Sequence, residues 1–283
     1  MDRWSAANKA LWEEWTEIHV RSEFYDVEGW KAGRHGLPGL ILDEVGDVAG
    51  KDLLHLQCHF GLDTLSWARL GARVTGVDFS ERAIAHARAL SAETGLDASF
   101  VQADVLDLPA HLQGGFDVVF TTFGVTGWLP DLTRWARGLV RCLRPGGVLY
   151  LADGHPFAWA FDDLAPDPAG LRLREPYFAS DEPLAYPTQG SYADPAAHVG
   201  TPTEYGWQHG MGEIITVLAE AGLRVEWLHE HPYVPWKMFP FCVAAPELGR
   251  SWWRLPDELH GKLPLSFSLR ANLPPQASSL VEA

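Results

Sequence analysis

Between Lys51 and Asp153, short apolar runs alternate with amphipathic stretches of helical period, and most of the runs end on a turn residue or an acid. DLLHLQ gives way to LDTLSWARLG, ARVTGVDFS to SERAIAHARALSAETG, and FDVVFTTFG to PDLTRWARGLVRCLRPGG ahead of VLYLAD. Apolar runs without polar alternation read as strands buried on both faces, and helices between them supply that cover. Ser80 is the expected N-cap and Gly95 the C-cap of the second helix, while Pro145-Gly146-Gly147 stops the third. Strand and helix in alternation give βαβ units and an open parallel sheet.

Outside this region the pattern is less regular. Trp4, Ala7, Leu11, Trp15 and Ile18 fall at helical spacing, so residues 1–50 are expected to be a helical N-terminal extension or cap. Residues 51–153 form the ligand-binding half of the α/β domain. Residues 154–205 hold eight of the chain's 20 prolines, with Phe157, Trp159, Phe161, Tyr177, Phe178, Tyr186 and Tyr192. Aromatics seek burial and prolines reduce the entropy lost on ordering, so this segment is expected to be an ordered lid, the alternative being an ordered insertion that packs on a neighbouring subunit. In residues 206–245, GMGEIITVLAEAG reads as a helix, LRVEWLHEH as a strand and FPFCVAA as a last strand. The tail, 246–283, has no clear pattern.

Charge narrows the class of partner. The 283 residues carry 22 Lys+Arg against 37 Asp+Glu, a net charge of −15, which disfavours nucleic acid and anionic membrane surfaces. Cys58, Cys142 and Cys242 form no C-x-x-C pair and read as reduced thiols. No apolar stretch approaches a membrane span, and Asp2, Glu13 and Glu14 stand where a secretory signal needs apolar residues, so a cytoplasmic protein is expected. His55 and His59 straddle a strand end and His229 and His231 lack a third ligand, so no metal site is expected. G-x-S-x-G is absent, leaving a hydrolase elbow without support.

Open parallel sheets bind ligands at the carboxyl ends of their strands. Three strand ends here are suggestive: Gln57-Cys58-His59-Phe60-Gly61, Asp78 and Asp104. An ionised carboxylate accepts but does not donate, so Asp78 can hold both hydroxyls of a ribose and Asp104 an adenine amino group. The alternative for both is a helix-capping role. QCHFGLD offers no G-x-G-x-x-G, and Asp63 would oppose a pyrophosphate, which argues against a nicotinamide dinucleotide.

These strand ends, with FDVVFTTFG and the LRPGG turn, resemble the class I S-adenosylmethionine-dependent methyltransferases over residues 50–153, and more loosely over 208–245. The resemblance implies a doubly wound, mostly parallel seven-stranded sheet with helices on both faces. The last strand would be antiparallel beside the fifth, and the long insertion would follow strand five. It implies S-adenosylmethionine as cofactor, held by Gln57, His59, Gly61, Asp78, Phe79, Ser80, Asp104, Val105 and Thr122. The family's first motif ends in three alternate glycines after an acid. Here His55 replaces the acid, Gln57 and His59 replace two glycines, and only Gly61 remains. Asp153 and His155 after strand five are the candidate bases, and Trp128 and His209 the candidate acceptor contacts. The expected function is methyl transfer to a small molecule, by a monomer or homodimer. The rival is a non-catalytic or regulatory protein of the same fold that binds the cofactor or its product.

Overall fold

The computed structural model describes residues 1–34 and 36–275. Its central sheet has seven strands in the order β3-β2-β1-β4-β5-β12-β8. These are β1 (Asp52–Leu56), β2 (Arg73–Asp78), β3 (Ala98–Gln102), β4 (Phe116–Thr122), β5 (Leu143–Gly154), β8 (Arg224–His231) and β12 (Ser266–Asn272). The first five pair in parallel, and β12 lies antiparallel between β5 and β8. Strand order reverses between β1 and β4, so their carboxyl ends flank the topological switch point.

Residue alternation explains how two helical layers are held. Leu54, Leu56, Val119 and Leu151 pack with Trp135 and Leu139 of α6 (Leu132–Cys142) and Ile214 and Leu218 of α7 (Met211–Glu220). Leu53, Val118, Phe120 and Tyr150 point the other way, onto Ile41 and Val45 of α3 (Gly39–Val45) and Trp67 of α4 (Leu62–Arg69). With α5 (Glu81–Thr94), the expected caps hold: Ser80 Oγ accepts from the Ala83 amide, and Gly95 takes the left-handed conformation.

The seventh strand is a correction. FPFCVAA was expected to supply it, but contributes only the two-residue β10 (Val243–Ala244), in a small sheet with β11 (Trp253–Arg254) and β9 (Tyr233–Val234). Pro240 removes a ladder donor there, and Phe239 and Cys242 instead bury themselves against Leu255 and Leu265. The strand comes from the tail, where SFSLRAN pairs on both edges and is buried over most of its length.

The chain before β1 forms a cap from α1 (Arg3–His19), the short α2 (Val27–Lys31) and α3. Glu13 of α1 docks on the amino end of α5, accepting from the Glu81 and Arg82 amides at 2.7 and 3.0 Å and from Ser80 Oγ. The segment after β5 carries the hairpin of β6 (Leu184–Pro187) and β7 (Thr203–Gly206). It is fastened to α1: Trp15 donates to the Gly190 carbonyl, and Glu14 accepts from Gly200 and Thr201. Among the described residues, no helix is long and apolar enough to cross a membrane.

Candidate active site

A cavity of about 1280 Å³ opens at the carboxyl ends of β1, β2 and β4 and runs beneath α1 and the 154–205 segment. Its floor is the loop after β1. Gln57, His59 and Gly61 have φ of 54°, 49° and 84°, so the backbone follows a glycine-type path although two positions carry side chains. Gly61 is the position where no side chain fits: a Cβ there would lie 2.9 Å from the Phe100 ring and 3.0 Å from Ala87. A non-glycine residue in this region costs about 1–2 kcal/mol. His55, at the family's acid position, is buried and bonds through Nδ1 to Thr64 Oγ1 at 2.8 Å, tying β1 to α4. Burial pushes its pKa down to about 3, which keeps it neutral.

Asp78 closes β2 at the cavity wall. One carboxylate oxygen accepts from the His59 amide at 2.8 Å and the other from the Ser80 amide at 2.9 Å. Burial pushes its pKa up to about 6 against the pull of these bonds. Each oxygen keeps acceptor capacity for a ligand hydroxyl. Phe79, Asp104, Val105, Thr122, Gln57 and His59 all line the same cavity, so the structure brings together most of the residues the sequence singled out. Asp104 uses one oxygen to accept from the Leu106 amide at 2.9 Å. Ser80 is the exception. It is 1% exposed, does not line the cavity, and spends its hydroxyl on the α5 cap and on Glu13.

Both candidate bases are held by other groups of the fold, and Asp153 also lines the cavity. Asp153 is buried at the end of β5, where it accepts from the amides of Gly124, Val125, Thr126 and Gly154 and from the Thr126 hydroxyl. It anchors the loop after β4 and has no vacant acceptor with which to take a proton. His155 turns away from the cavity, towards β8 and β12. Its Nδ1 accepts from the Phe157 amide, Nε2 faces Glu230 at 2.9 Å, and the ring lies edge-on to Phe267. His209 does line the cavity, but Nε2 contacts the Leu129 carbonyl at 2.7 Å and Nδ1 contacts Glu213 at 3.1 Å, so both ring nitrogens are engaged. Trp128, in a short turn after β4, walls the cavity and meets Trp12 and Trp15 of α1 edge to face at 5.4 and 6.0 Å.

Sequence reasoning missed the roof and the far wall. Trp12, Trp15 and Tyr25 cover the β1 loop, and Tyr25 meets Tyr192 of the insertion hydroxyl to hydroxyl. The far wall is aromatic: Trp159 stacks on Trp236 at 5.9 Å, and Phe123 meets Trp236 and Trp252 edge to face. Glu204 of β7 also lines the cavity, its pKa pushed up to about 7 by burial first and by the Asp163 charge second. The helical spacing of Trp15 was visible in the sequence, but neither the part of Trp12 nor the surface the two would cover was. Within the insertion, Phe157 and Phe178 are 41% and 78% exposed, so not all of its aromatics are buried as expected.

A seven-stranded sheet with one antiparallel strand, and an acid-bearing cofactor cleft at the switch point, defines the class I S-adenosylmethionine-dependent methyltransferase fold. Residues 53–147 match the family described as "Methyltransferase domain". Over those residues the chain is similar to this family. It is 34% identical over 136 residues to a ubiquinone biosynthesis O-methyltransferase of Xanthomonas oryzae pv. oryzae, covering 47% of this chain and 56% of the relative. The equivalent protein of Cronobacter sakazakii is 31% identical over 137 residues, with the same coverage. The chain therefore spans little more than half the length of these curated relatives. An S-adenosylmethionine-dependent methyltransferase from Mesorhizobium loti superposes with a TM-score of 0.56 at 21% identity, over 82% of this chain and 95% of that one. A geranyl diphosphate C-methyltransferase from Streptomyces coelicolor A3(2), solved with S-adenosyl-L-homocysteine, gives 0.52 at 14% identity, over 83% and 77%. At these identities the likeness is one of fold.

Proposed function

We propose that this protein binds S-adenosylmethionine and transfers its methyl group to a small-molecule acceptor. The observation that carries the reading is Asp78, whose carboxylate stands at the switch point beside a loop that keeps glycine-type φ at 57, 59 and 61. The ribose hydroxyls would donate to Asp78 and the adenine amine to the second oxygen of Asp104. The cavity exceeds the roughly 300–1,000 Å³ typical of a single-ligand site, which supports a second molecule beyond the methyl group.

Displacement at a sulfonium needs alignment and exclusion of water before anything else. The insertion would provide the second, as a lid carrying Trp159, Phe161 and Tyr186 over the acceptor half. A base is needed only when the acceptor carries a proton, as a hydroxyl does. The curated relatives are named as O-methyltransferases, which supports a hydroxyl acceptor, and Glu204 would take that proton because its pKa of about 7 suits the task.

Isothermal titration with S-adenosylmethionine and S-adenosylhomocysteine, followed by transfer of a labelled methyl group into a small-molecule extract, tests the reading. Failure to bind either nucleoside ends it. Binding without transfer to any fraction would favour the non-catalytic rival.

A further inference from the structure

Across the switch point from Asp78 and Asp104, four aromatic side chains from four separate segments line the cavity. Phe123 follows β4, Trp159 belongs to the insertion, Trp236 follows β9 and Trp252 precedes β11. Their rings form a continuous chain. Trp159 lies within 17° of parallel to Trp236 at 5.9 Å, and Phe123 meets Trp236 and Trp252 edge to face, each at 5.9 Å. Trp252 is 2% exposed and meets Tyr233 at 5.4 Å, so this end of the chain is anchored in the fold.

Two backbone features serve these rings. Phe123 has φ of 43°, a left-handed conformation that costs a non-glycine residue about 1–2 kcal/mol. It is held there by its amide, which donates to the Ala152 carbonyl at 2.8 Å, and by the next amide, Gly124, which donates to Asp153. Strain of this kind persists where the surrounding structure fixes it, as at ligand sites. Gly154, the last residue of β5, is not in the left-handed region, so conformation does not call for glycine. Space does: a Cβ there would lie 2.5 Å from Nε1 of Trp159 and 3.2 Å from the Trp236 ring. A glycine in a strand marks the close approach of another group, and here the group is the indole pair. Core packing does not account for the pair, since Trp159 is 37% exposed and Phe123 and Trp236 are only half-buried.

We propose that the Trp159–Trp236 stack, with Phe123, is the recognition surface for the methyl acceptor and selects a flat aromatic ring bearing the hydroxyl that is methylated. Trp159 and Trp236 are the specificity-determining residues, and Gly154 is a positioning residue that lets the indoles settle on the end of β5. Offset stacking of one more ring is worth about two- to tenfold in affinity beyond the area it buries. A puckered, saturated ring of the same size buries similar area without that gain. The acceptor role rests on the S-adenosylmethionine reading, whereas the preference for a flat ring is measured without it.

The probes are 2-naphthol and decahydro-2-naphthol, which share a hydroxyl and a two-ring skeleton and differ in flatness and π surface. Calorimetric titration of the full chain, alone and saturated with S-adenosylhomocysteine, should show 2-naphthol binding about tenfold tighter than its saturated counterpart in both states. Trp159→Leu and Trp236→Leu keep apolar bulk and remove the indole, and each should narrow the preference to about threefold or less, while Trp236→Phe retains most of it. Gly154→Ala, which pushes Trp159 off the strand end, should weaken 2-naphthol by about fivefold and leave S-adenosylhomocysteine within twofold. Equal binding of the two probes, binding of neither, or a preference untouched by both leucine variants would overturn the proposal. So would displacement of 2-naphthol by S-adenosylhomocysteine, because the arene would then occupy the nucleoside's place. Binding of cyclohexyltrimethylammonium as tightly as 2-naphthol would make the wall a cation cage and also overturn it. If the flat probe is preferred but S-adenosylhomocysteine does not bind, the cofactor reading fails while the aromatic site stands.

Discussion

Asn8 and Tyr205 exchange a reciprocal pair of hydrogen bonds, Asn8 Nδ2 to the Tyr205 carbonyl at 2.7 Å and the Tyr205 amide to Asn8 Oδ1 at 2.9 Å. One carboxamide of the N-terminal helix thus completes the free edge of β7, nearly two hundred residues later in the chain. Asn8 is 2% exposed, so neither bond competes with water. Asn8→Ala should therefore cost about 1–3 kcal/mol, the penalty for leaving buried partners unsatisfied. Urea unfolding measures the loss. Hydrogen exchange should speed up across residues 184–206 and not in β1 or β4. Uniform acceleration through the sheet would contradict a local latch.

Asp78 predicts a pH dependence. Its folded pKa of about 6 lies above the ordinary carboxylate value, so between about pH 4 and 6 the unliganded fold holds a proton that the unfolded chain has released. This group's contribution to stability is present at low pH and declines as pH rises through 6. Ligand hydroxyls donate to the ionised form, so binding runs in the opposite direction. Affinity for 5′-methylthioadenosine, which carries the nucleoside without the titratable amino-acid head, should rise by up to about tenfold per unit from pH 5 to 6 and level off by 7. Asp78→Asn should flatten the curve and weaken binding at pH 7.5 by about 2–4 kcal/mol. A slope that survives the substitution would place the titrating group elsewhere.

The sheet as far as β5 was legible because each of its strands is a short β-rich run between helix or turn signals. β12 was not, because SFSLRAN interleaves Ser266, Ser268, Arg270 and Asn272 with its apolar residues. Those polar groups are accommodated by tertiary partners: Ser266 donates to the Tyr233 carbonyl, Ser268 to Glu44, and Arg270 and Asn272 to Glu226. That Asp78 and Asp104 would line one cavity was legible for a similar reason, since each stands at or just after the end of a strand that could be located. Asp153 and His155 were placed at the correct strand end, but sequence does not reveal which atoms a side chain will meet. Asp153 is taken up by five donors, and His155 is turned towards Glu230.

Two glycines with similar backbone angles should respond unequally to the same substitution. Gly61 has φ of 84° and Gly95 has φ of 67°, so alanine incurs a left-handed penalty of about 1 kcal/mol at either position. At Gly95 the added methyl meets nothing within 4 Å, whereas at Gly61 it meets the Phe100 ring at 2.9 Å. Gly95→Ala should destabilise by about 1 kcal/mol, and Gly61→Ala by about 1–3 kcal/mol more through overpacking. Thermal unfolding of the two variants side by side checks the difference. Equal losses would mean that the Phe100 ring and Ala87 yield to the methyl group at little cost.

Glu204 supplies the sharpest kinetic expectation. It lies on β7 and lines the cavity, and desolvation, reinforced by Asp163, raises its pKa to about 7. If it accepts the acceptor's proton, only its ionised form is active, so kcat should climb with pH and level off above about 7. Glu204→Gln keeps the shape of the side chain and removes the base. Its kcat should fall by about 10²–10⁴-fold, the usual contribution of a positioned base, and the inflection should vanish while KM for S-adenosylmethionine stays within threefold. Replacing Asp163 with Asn removes a neighbouring negative charge, so the inflection should move to lower pH with kcat on the plateau little changed. A Glu204→Gln variant that retains both rate and pH profile would show that the carboxylate takes no part in proton transfer. It would then direct attention to acceptors that lose no proton at methylation, such as a thiolate or a tertiary amine.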